Sequence, residues 1–470
     1  MQNSPRLIIA GLSGDSGKTL VSLGLIAYWR KVGLNVIGFK KGPDYIDSSW
    51  LSYASGKPSR NLDAFIMGRD NVYNSFVSNA CEADISVIEG NRGLYDGMDY
   101  EGKYSTAELA ILLDAPVILV VDATKATRTI AAIVKGCMDF DPELNLAGVI
   151  INNIAGERHR KVITEAIEEY CGIPVVGSIP KIKNKELIPG RHLGLVTPQE
   201  YGKCSDAVNH AGDIVTEYVN VNTCMEIAKN APLIQFKEIS IDVSSGSLGI
   251  RICYFNDSAF TFYYPENLEL LSKSGAELIP VSSLETKELP ECDALYIGGG
   301  FPETHAEVLT GNRTLMDSIK LAAESGLPIY AECGGLIYLS KALIKNGEKF
   351  PMADVLPVEI EFMSKPQGHG YVELNVDYPN PFFPDGIALR GHEFHYTRII
   401  SGMDTLSTAF HLNRGTGCGH ERDGLVTNNV LASYTHLHAI GSIQWVDGIL
   451  KAAKGYRLKK SEKQAVEALI

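Results

Sequence analysis

Short, β-branched apolar runs alternate with amphipathic stretches along most of the chain. In the first half the runs are RLIIA, NVIGF, ISVIEG, APVILVVDA and LAGVIINNI, and stretches such as HRKVITEAIEEYCG between them have helical periodicity. Continuous apolar runs of this kind are typical of strands buried on both faces of a parallel sheet. Because such strands alternate with helices, the pattern predicts a doubly wound α/β domain.

A second alternation of predicted strands and helices begins at GIRICYF and continues through AELIPVSS, ALYIGGG and LPIYAECGG. The later segments HGYVELNVDY, ALRGHEFHYTRII and LVTNNVLASYTHLH predict strands added to this second α/β domain. Between the halves the alternation weakens, and Ser and Gly cluster as they do in linkers. We therefore predict a first domain at 1–232, a linker at 233–248, a second domain at 249–455 and a charged tail at 456–470.

Composition narrows the class of protein. A chain of 470 residues is too long for one ordinary core, and 45% hydrophobic with 21% charged residues is typical of a soluble globular protein. No apolar run approaches the ~20 residues of a membrane span, and nine cysteines without paired spacing predict a reducing, cytoplasmic location. The net charge of −13 disfavours nucleic acid as a partner but allows small anionic substrates in a locally basic pocket. The oligomeric state stays open, a homodimer included.

The stretch GLSGDSGKT lies between the first predicted strand and the first helix. Small residues there, Gly14 and Gly17 among them, let backbone N–H groups curl around phosphate oxygens at a helix N-terminus. Lys18 is expected to reach the terminal phosphates, and the Thr19 hydroxyl is expected to bind Mg²⁺. The spacing from Gly11 is one residue longer than in the usual P-loop, and a chance glycine turn is the alternative. The preceding strand and the GKT ending favour an ATP site.

Magnesium prefers oxygen ligands, usually one or two carboxylates beside the phosphates. Asp47 in KKGPDYIDSSW and Glu89 in ISVIEGNRG lie at the carboxyl ends of predicted strands, where ligands of open α/β sheets bind. The alternative for each is a solvated surface position. The same edge also carries Asp44, Lys40, Lys41, Arg92 and Asp96.

In the second half, LPIYAECGGL predicts a strand, a sharp turn and a helix around Cys333. A thiol at a helix N-terminus is expected to have a lowered pKa and to be nucleophilic, and the flanking glycines permit a strained turn. A buried, inert cysteine is the alternative, which we assign to the other eight cysteines. The segment ASYTHLH offers His436 or His438 as the base for the thiol.

Consecutive backbone N–H groups in IGGGFPE are suited to hold an oxyanion, and they belong to Gly298, Gly299 and Gly300. Further candidates for the base that deprotonates the Cys333 thiol are His369, His392 and His395.

Taken in order, these motifs resemble a known family. The matching stretches include GLSGDSGKT, KKGPDYID, EGNRGLYDG, IPGRHLGL, NDSAFTFYYPENLELL, IGGGFPE, AECGGLIYL, GHEFHYT and SYTHLH. The chain is similar to the a,c-diamide synthases of tetrapyrroles, which join a P-loop amidoligase domain to a triad-class (class I) glutamine amidotransferase domain. Members of this family act on cobyrinate or on nickel-sirohydrochlorin.

The resemblance implies that Cys333 attacks the side-chain amide of glutamine and releases ammonia, with His436 as its base. A Glu shortly after the His often completes the triad in relatives, but the residues here are LHAIGS, so the third member stays open. In the first half, the resemblance implies that ATP activates the a and c carboxylates as acyl phosphates, which glutamine-derived or free ammonia converts to amides.

The resemblance also implies roles for individual residues of the first half. Thr19, Asp47 and Glu89 match Mg²⁺ ligands, and Asn152 matches an amide that reads adenine. Asp44, Tyr45 and Asp96 lie in motifs that contact the macrocycle or assist the attack of ammonia.

Three alternatives stay open at this stage. The segments SSWL after GPDYID and GNRGLYDG differ from common cobyrinate enzymes, which leaves the choice between the cobalt and the nickel ring open. Another alternative is an amidase of other corrin carboxylates, of the cobyric acid synthase type. The last is a P-loop regulatory ATPase with a degenerate amidotransferase domain.

Overall fold

The computed structural model describes residues 3–182, 190–191, 194–235 and 248–467. They belong to two units, Met1–Ile239 and Ser240–Ile470, and each unit has its own main sheet. Most of the predicted linker, part of the IPGRHLGL stretch and the last residues of the predicted tail lie outside the described residues. The predicted domain limits therefore stay predictions.

The apolar runs of the first half form one parallel sheet. Its strands are β1 (Arg6–Gly11), β2 (Val36–Lys41), β3 (Arg60–Leu62), β4 (Ile85–Glu89), β5 (Val117–Asp122), β6 (Leu146–Ile154) and β7 (Val175–Pro180). Their spatial order is β3-β2-β4-β1-β5-β6-β7, and all neighbours are parallel. Every residue of β1, β2 and β4 is buried, as expected for strands covered on both faces.

Helices connect these strands and cover the sheet. They are α1 (Lys18–Lys31), α2 (Tyr45–Ser55), α3 (Ala64–Met67), α4 (Arg69–Ala80), α5 (Thr106–Leu112), α6 (Thr129–Phe140), α7 (Glu157–Cys171), α8 (Cys204–Tyr218) and α9 (Val221–Lys229). A short hairpin pairs β8 (Gly190–Arg191) with β9 (Gly194–Leu195). The doubly wound fold predicted for the first half is confirmed.

The second unit has a mixed sheet whose parallel part comes first in the chain. The parallel strands are β10 (Ile250–Phe255), β11 (Ala276–Val281), β12 (Ala294–Ile297), β13 (Ile329–Glu332) and, much later, β22 (Val430–Ser433). The antiparallel strands are β17 (Gly368–Val376), β18 (Ala388–His395), β20 (Ser407–Arg414), β21 (Arg422–Thr427) and β23 (His436–Leu437). The order is β11-β10-β12-β13-β22-β21-β20-β17-β18-β23.

A smaller sheet of the second unit has the order β15-β14-β16-β19. Its strands are β14 (Ser340–Lys345), β15 (Glu348–Pro351), β16 (Leu356–Phe362) and β19 (Thr397–Ser401). The α-helices of the unit are α10 (Pro265–Lys273), α11 (Ala306–Gly311), α12 (Arg313–Glu324), α13 (Gly334–Leu339) and α14 (Ile443–Glu467), and short 3₁₀ turns occupy Pro302–Thr304 and Met403–Thr405. In the described part of the chain, no helix combines the length and the apolar composition that crossing a bilayer requires.

Two features of this topology bring distant residues together. In the first unit, the ends of β2, β4 and β1 meet beside the glycine loop, because Lys40 is in register with Glu89, and Glu89 with Ile9. In the second unit, Glu332 is in register with Ser433, so the turn after β13 lies next to the turn after β22. Both candidate sites lie at carboxyl ends of parallel strands, as ligand sites of open α/β sheets do.

Candidate active sites

The glycine loop after β1 closes tightly against β6. Gly17 has φ of 101°, and a Cβ there would lie 2.4 Å from Nδ2 of Asn152, so the turn requires glycine. The Asn152 amide donates to the Ser16 carbonyl at 3.0 Å, while Gly14 lies at the exposed tip of the loop. Asn152 thus contacts the loop itself, and its role toward adenine stays a prediction.

Lys18 follows this loop as the first residue of α1 and is buried. Its Nζ donates to the Ser13 carbonyl at 2.7 Å and to Ser16 Oγ at 3.4 Å. Burial, together with the Lys40 charge, lowers the pKa of Lys18, and Glu89 and Asp47 oppose this shift. A lysine at the N-terminus of a helix, directly after a glycine loop, is suited to an anionic ligand.

A second lysine lies among the predicted metal ligands. Lys40 Nζ is 2.6 Å from Asp47 Oδ2 and 2.9 Å from Glu89 Oε1, and the Thr19 hydroxyl donates to the same Glu89 oxygen at 2.8 Å. Burial alone would lower the pKa of Lys40, but the two carboxylates outweigh burial and raise it. Burial likewise would raise the pKa of Asp47, and the Lys40 ammonium lowers it instead. The sequence indicates that Lys40 lies at this edge but does not indicate its function.

Glu89 has one oxygen with no partner. Its Oε2 is buried and makes no hydrogen bond, and burial raises the pKa of the side chain although Lys40 opposes this. An unpaired buried carboxylate oxygen indicates a missing cationic or protic partner. Among the described residues no group of three His, Cys, Asp or Glu side chains is arranged to hold a metal. Two carboxylates and a hydroxyl fit Mg²⁺ only when further oxygens come from nucleotide or water.

The residues matched to macrocycle contacts lie around the start of α2 and in the loop after β4. Asp44 caps α2 by accepting from the N–H groups of Ile46 and Asp47 at 3.0 and 2.9 Å. Burial and the neighbouring Asp47 raise the pKa of Asp44 to about 7. Tyr45 begins α2, and the exposed Asp96 accepts from the Gly93 N–H at 2.8 Å. These contacts do not test the roles predicted for the three residues, which stay predictions.

Trp50 belongs to the SSWL segment that left the choice of ring open. Its side chain is fully buried, and its Nε1 donates to the Val196 carbonyl at 2.8 Å. This tryptophan is therefore part of the core of the first unit rather than of an exposed ring-binding surface.

Cys333 occupies a strained turn between β13 and α13. Its φ and ψ are 47° and −94°, a conformation that residues with a side chain rarely adopt. The turn is held from both sides, since the Cys333 N–H donates to the Ser433 carbonyl at 2.7 Å and the Cys333 carbonyl accepts from Ile337 at 3.1 Å. Backbone strain at such a position costs about 1–3 kcal/mol and is concentrated at functional sites.

The prediction of a lowered thiol pKa is wrong. Cys333 is only 6% exposed, and burial is the main reason that its pKa is raised well above the ordinary value. The carboxylates of Glu303, Glu332 and Asp423 raise it further, while one backbone N–H from Gly334 opposes the shift. Helix α13 spans only Gly334–Leu339, so its N-terminus is too weak to offset burial. The thiol is protonated at neutral pH and needs a base.

His436 is the histidine that the fold places beside the glycine run after β12. A Cβ on Gly299 would lie 2.5 Å from His436 Cε1, and a Cβ on Gly334 would lie 3.0 Å from the Gly300 nitrogen. The glycine run therefore contacts both the imidazole and the first residue after Cys333.

Glu332 contacts the other side of the same imidazole. Its Oε2 is 3.4 Å from Nδ1 of His436, and both side chains are almost completely buried. The third member of the triad was expected after the histidine, so Glu332, which precedes the nucleophile, was not predicted from the sequence. The available signal was a carboxylate at the end of a buried strand, directly before the nucleophile, in YAECGG.

Neutral donors fix the Glu332 carboxylate. Tyr296 and Tyr330 each donate a phenolic O–H to it at 3.2 Å, and the Leu437 N–H donates at 3.1 Å. Burial, followed by the Glu332 charge, raises the pKa of both tyrosines, so they remain protonated donors. The carboxylate is thus oriented toward His436 by groups that do not neutralise it.

The three glycines proposed to hold an oxyanion differ in their contacts. The Gly298 N–H donates to the Tyr263 hydroxyl at 2.9 Å, and the Gly299 N–H donates to the Phe262 carbonyl at 3.3 Å. Gly300 approaches the chain so closely that a Cβ would lie 2.0 Å from the Ala259 carbonyl oxygen. The N–H groups of Gly298 and Gly299 already have acceptors. The Gly300 N–H is therefore the remaining candidate donor to an oxyanion.

Other histidines of the second unit have different surroundings. His392 pairs with His436 between β18 and β23, and the two rings stack at 4.9 Å. Burial, then the neighbouring His436, lowers the pKa of His392, so this ring stays neutral. His438 accepts from the Ile440 N–H at 3.2 Å, His395 contacts the Thr397 carbonyl at 2.8 Å, and His369 is exposed. The geometry favours His436 as the base.

Comparisons with known proteins assign each half to a described domain family. Residues 7–196 match the family described as "CobQ/CobB/MinD/ParA nucleotide binding domain". Residues 251–442 match the family described as "CobB/CobQ-like glutamine amidotransferase domain". The two matched ranges contain the glycine loop with its lysines and the thiol with its imidazole, respectively.

Three relatives match over nearly the full length. A cobyrinate a,c-diamide synthase of Magnetococcus marinus is 42% identical over 94% of this chain and 95% of the relative. A protein of the same name from Archaeoglobus fulgidus is 40% identical over 92% of this chain and 94% of the relative. Another, from Methanosarcina acetivorans, is 37% identical over 97% of this chain and 97% of the relative.

Proposed function

We propose that this chain converts the a and c carboxylates of cobyrinate to amides with ATP and glutamine. The reason is that the chain belongs to the cobyrinate a,c-diamide synthase family. The chain is a ligase that carries a glutamine amidotransferase domain. The names of its relatives support amidation of a tetrapyrrole, and the details of substrate and mechanism are proposed from the two sites.

In the thiol site, Cys333 attacks the side-chain amide of glutamine. With a proton on Nδ1 of His436, which faces Glu332 at 3.4 Å, Nε2 accepts the thiol proton as the carbon–sulfur bond forms. His436 then returns that proton to the departing nitrogen, which leaves as ammonia, and water hydrolyses the thioester. The Gly300 N–H is the proposed donor to the oxyanion. The long contact to Glu332 is expected to tighten when substrate is bound.

In the phosphate site, a substrate carboxylate attacks the terminal phosphate of ATP to give an acyl phosphate and ADP. Ammonia then attacks the acyl carbon, and phosphate leaves as the carbon–nitrogen bond forms. Activation is required because a free carboxylate has no adequate leaving group. Lys18 orients the phosphates, and the N–H groups of the loop that contains Gly14 and Gly17 surround them.

Thr19, Asp47 and Glu89 would hold Mg²⁺, and the unbonded Oε2 of Glu89 supports that assignment. When bound, the ion would neutralise charge on the phosphates and orient the terminal group. Asp44 and Tyr45 are proposed to contact the macrocycle, Asp96 to assist the attack of ammonia, and Asn152 to bind the adenine. The roles of these four residues rest on the family resemblance.

The observation that carries the proposal is that one chain contains both candidate sites. A phosphate-binding loop with buried lysines lies in the range matched to nucleotide binding, and a thiol with an imidazole and a carboxylate lies in the range matched to glutamine amidotransferases. A regulatory ATPase with a degenerate second domain would not need the strained Cys333 turn or the Glu332–His436 contact.

The test is a product analysis with two rings. Cobyrinate and nickel-sirohydrochlorin are incubated side by side with enzyme, ATP and glutamine, and the number of amides is read by mass spectrometry. We expect the diamide of cobyrinate and at least about tenfold slower conversion of the nickel ring. Faster conversion of nickel-sirohydrochlorin would overturn the choice of ring. Amidation of carboxylates other than a and c would indicate the cobyric acid synthase type, and ATP hydrolysis without amide formation would overturn the function itself.

A further inference from the structure

The Lys40 ammonium contacts both carboxylates that are proposed to bind the metal. Its distances to Asp47 and Glu89 are 2.6 and 2.9 Å, and it also donates to the Gly90 carbonyl at 3.2 Å. Since Thr19 donates to the Glu89 oxygen that contacts Lys40, all three proposed metal ligands belong to one network with this lysine.

This ammonium is enclosed rather than solvated. The side chain of Lys40 is 2% exposed, that of Glu89 is 1% exposed and that of Asp47 is 18% exposed. A charge buried to this extent is tolerated only with direct partners, and removing one partner leaves the others uncompensated. Lys40 therefore supplies the compensating charge for the two carboxylates within the protein itself.

A divalent cation would compete with that charge. Mg²⁺ requires oxygen ligands at about 2.0–2.1 Å, and an ammonium that contacts the same carboxylates repels it at short range through a medium of low dielectric constant. Among the described residues no group of three His, Cys, Asp or Glu side chains is arranged to hold a metal, and the nearby Asp44 carboxylate already accepts from the N–H groups of Ile46 and Asp47. Only further anionic oxygens, such as those of a nucleotide, would make the site strongly attractive.

We propose that Lys40 is an internal counter-ion that prevents Asp47 and Glu89 from holding a divalent cation until nucleotide phosphates join the site. The consequence is an order of binding, in which metal enters with the nucleotide and not before it. This inference rests on the metal ligands assigned under the proposed function, and the experiment below separates the two.

The experiment measures Mn²⁺ binding to the full chain by electron paramagnetic resonance, with and without a non-hydrolysable ATP analogue. Without nucleotide, we expect Lys40→Gln to bind Mn²⁺ at least about tenfold more tightly than the wild type. Lys40→Arg, which keeps the charge, is expected to remain weak. Lys41→Gln is the matched control, since Lys41 is the next residue of β2, is also buried and projects to the opposite face of the strand.

A stability measurement guards against misfolding of the variant. Thermal unfolding of Lys40→Gln is expected to occur below the wild-type temperature without metal and to recover on addition of Mg²⁺, while the wild type responds little. Equal Mn²⁺ affinity of Lys40→Gln and the wild type without nucleotide would overturn the inference. Asp47→Asn and Glu89→Gln report on the proposed site separately: if neither weakens Mn²⁺ binding in the presence of nucleotide, the metal assignment itself is wrong.

Discussion

At the phosphate site opposite charges are in direct contact, whereas at the thiol site the reactive group is neutral and its one carboxylate is fixed by neutral donors. Lys40 pairs with Asp47 and Glu89 at the first site. At the second, tyrosine hydroxyls and a backbone N–H orient Glu332, and burial keeps Cys333 protonated.

The difference matches the chemistry proposed for each site. Binding a highly charged nucleotide requires compensating charges that are already in place before the ligand arrives. Attack on an uncharged amide requires only that one proton move from sulfur to nitrogen when the substrate is present. Changes of charge should therefore alter ligand binding at the first site and should alter proton transfer at the second.

The largest expected effect concerns the phosphate site. Lys18→Ala should lower amidation about 10²–10³-fold with glutamine or with ammonium, because phosphate orientation serves both nitrogen sources. Release of glutamate from glutamine should continue, since the thiol site is unchanged. Lys31→Ala, at the other end of α1, is the control and should keep amidation. Equal loss of glutaminase activity in Lys18→Ala would contradict the separation of the two sites.

A smaller effect is expected from the carboxylate at the thiol site. Glu332→Gln keeps the shape of the side chain but no longer supports the imidazolium, so glutaminase kcat should fall about 10²-fold while ammonium-dependent amidation is retained. Because the Glu332 carboxylate raises the pKa of Cys333, its removal should also shift the pH profile toward lower pH, which a packing defect alone would not produce. Tyr330→Phe removes one donor to Glu332 and should cost less. A normal pH profile and kcat in Glu332→Gln would exclude Glu332 as the positioning residue.

The raised pKa of Cys333 predicts its alkylation rate. Reaction with iodoacetamide, followed by mass spectrometry of the Cys333 peptide, should accelerate about tenfold per pH unit and continue to rise past pH 9, where a free thiol with pKa about 8.5 levels off. Cys333→Ser gives the background of the assay. If the alkylation rate instead levels off near pH 7, the pKa of Cys333 is lowered, as the sequence predicted, and not raised.

The smallest effect concerns stability at the phosphate site. The pKa of Asp44 is raised to about 7, so the folded protein holds a proton that the unfolded chain loses above about pH 4. Stability from this group is therefore present at low pH and is lost as pH rises through 7. Asn keeps the helix cap without the charge, so Asp44→Asn should exceed the wild-type Tm by several degrees at pH 8 and by less at pH 5.

The matched control is Asp63→Asn, which changes the aspartate cap of α3. It measures what replacing an aspartate cap by asparagine does to Tm at each pH, so the difference between the two variants is assigned to Asp44. If Asp44→Asn follows the same course as Asp63→Asn, the carboxyl of Asp44 is ionised in the folded protein throughout that range.

Sequence reasoning succeeded where chemistry follows local order along the chain. Five strands of the first unit's main sheet, β1, β2, β4, β5 and β6, were visible as apolar runs, whereas β3 and β7 were not predicted. The turns around Lys18 and Cys333 were visible as glycine motifs between a strand and a helix. The contact of Glu332 with His436 could not be predicted from the sequence, because it depends on the register of β13 with β22 across the sheet. The thiol pKa was predicted in the wrong direction because burial is a property of the packed fold.

The most direct test of the account is the source of nitrogen in Cys333→Ala. Wild type and variant are given amide-¹⁵N glutamine together with unlabelled ammonium, and the ¹⁵N content of the product amides is measured by mass spectrometry. We predict ¹⁵N amides from the wild type, and unlabelled amides at a comparable ammonium-dependent rate from Cys333→Ala, with Cys81→Ala behaving as the wild type. Labelled product from Cys333→Ala, or loss of amidation from both sources, would contradict the division of the reaction between two sites.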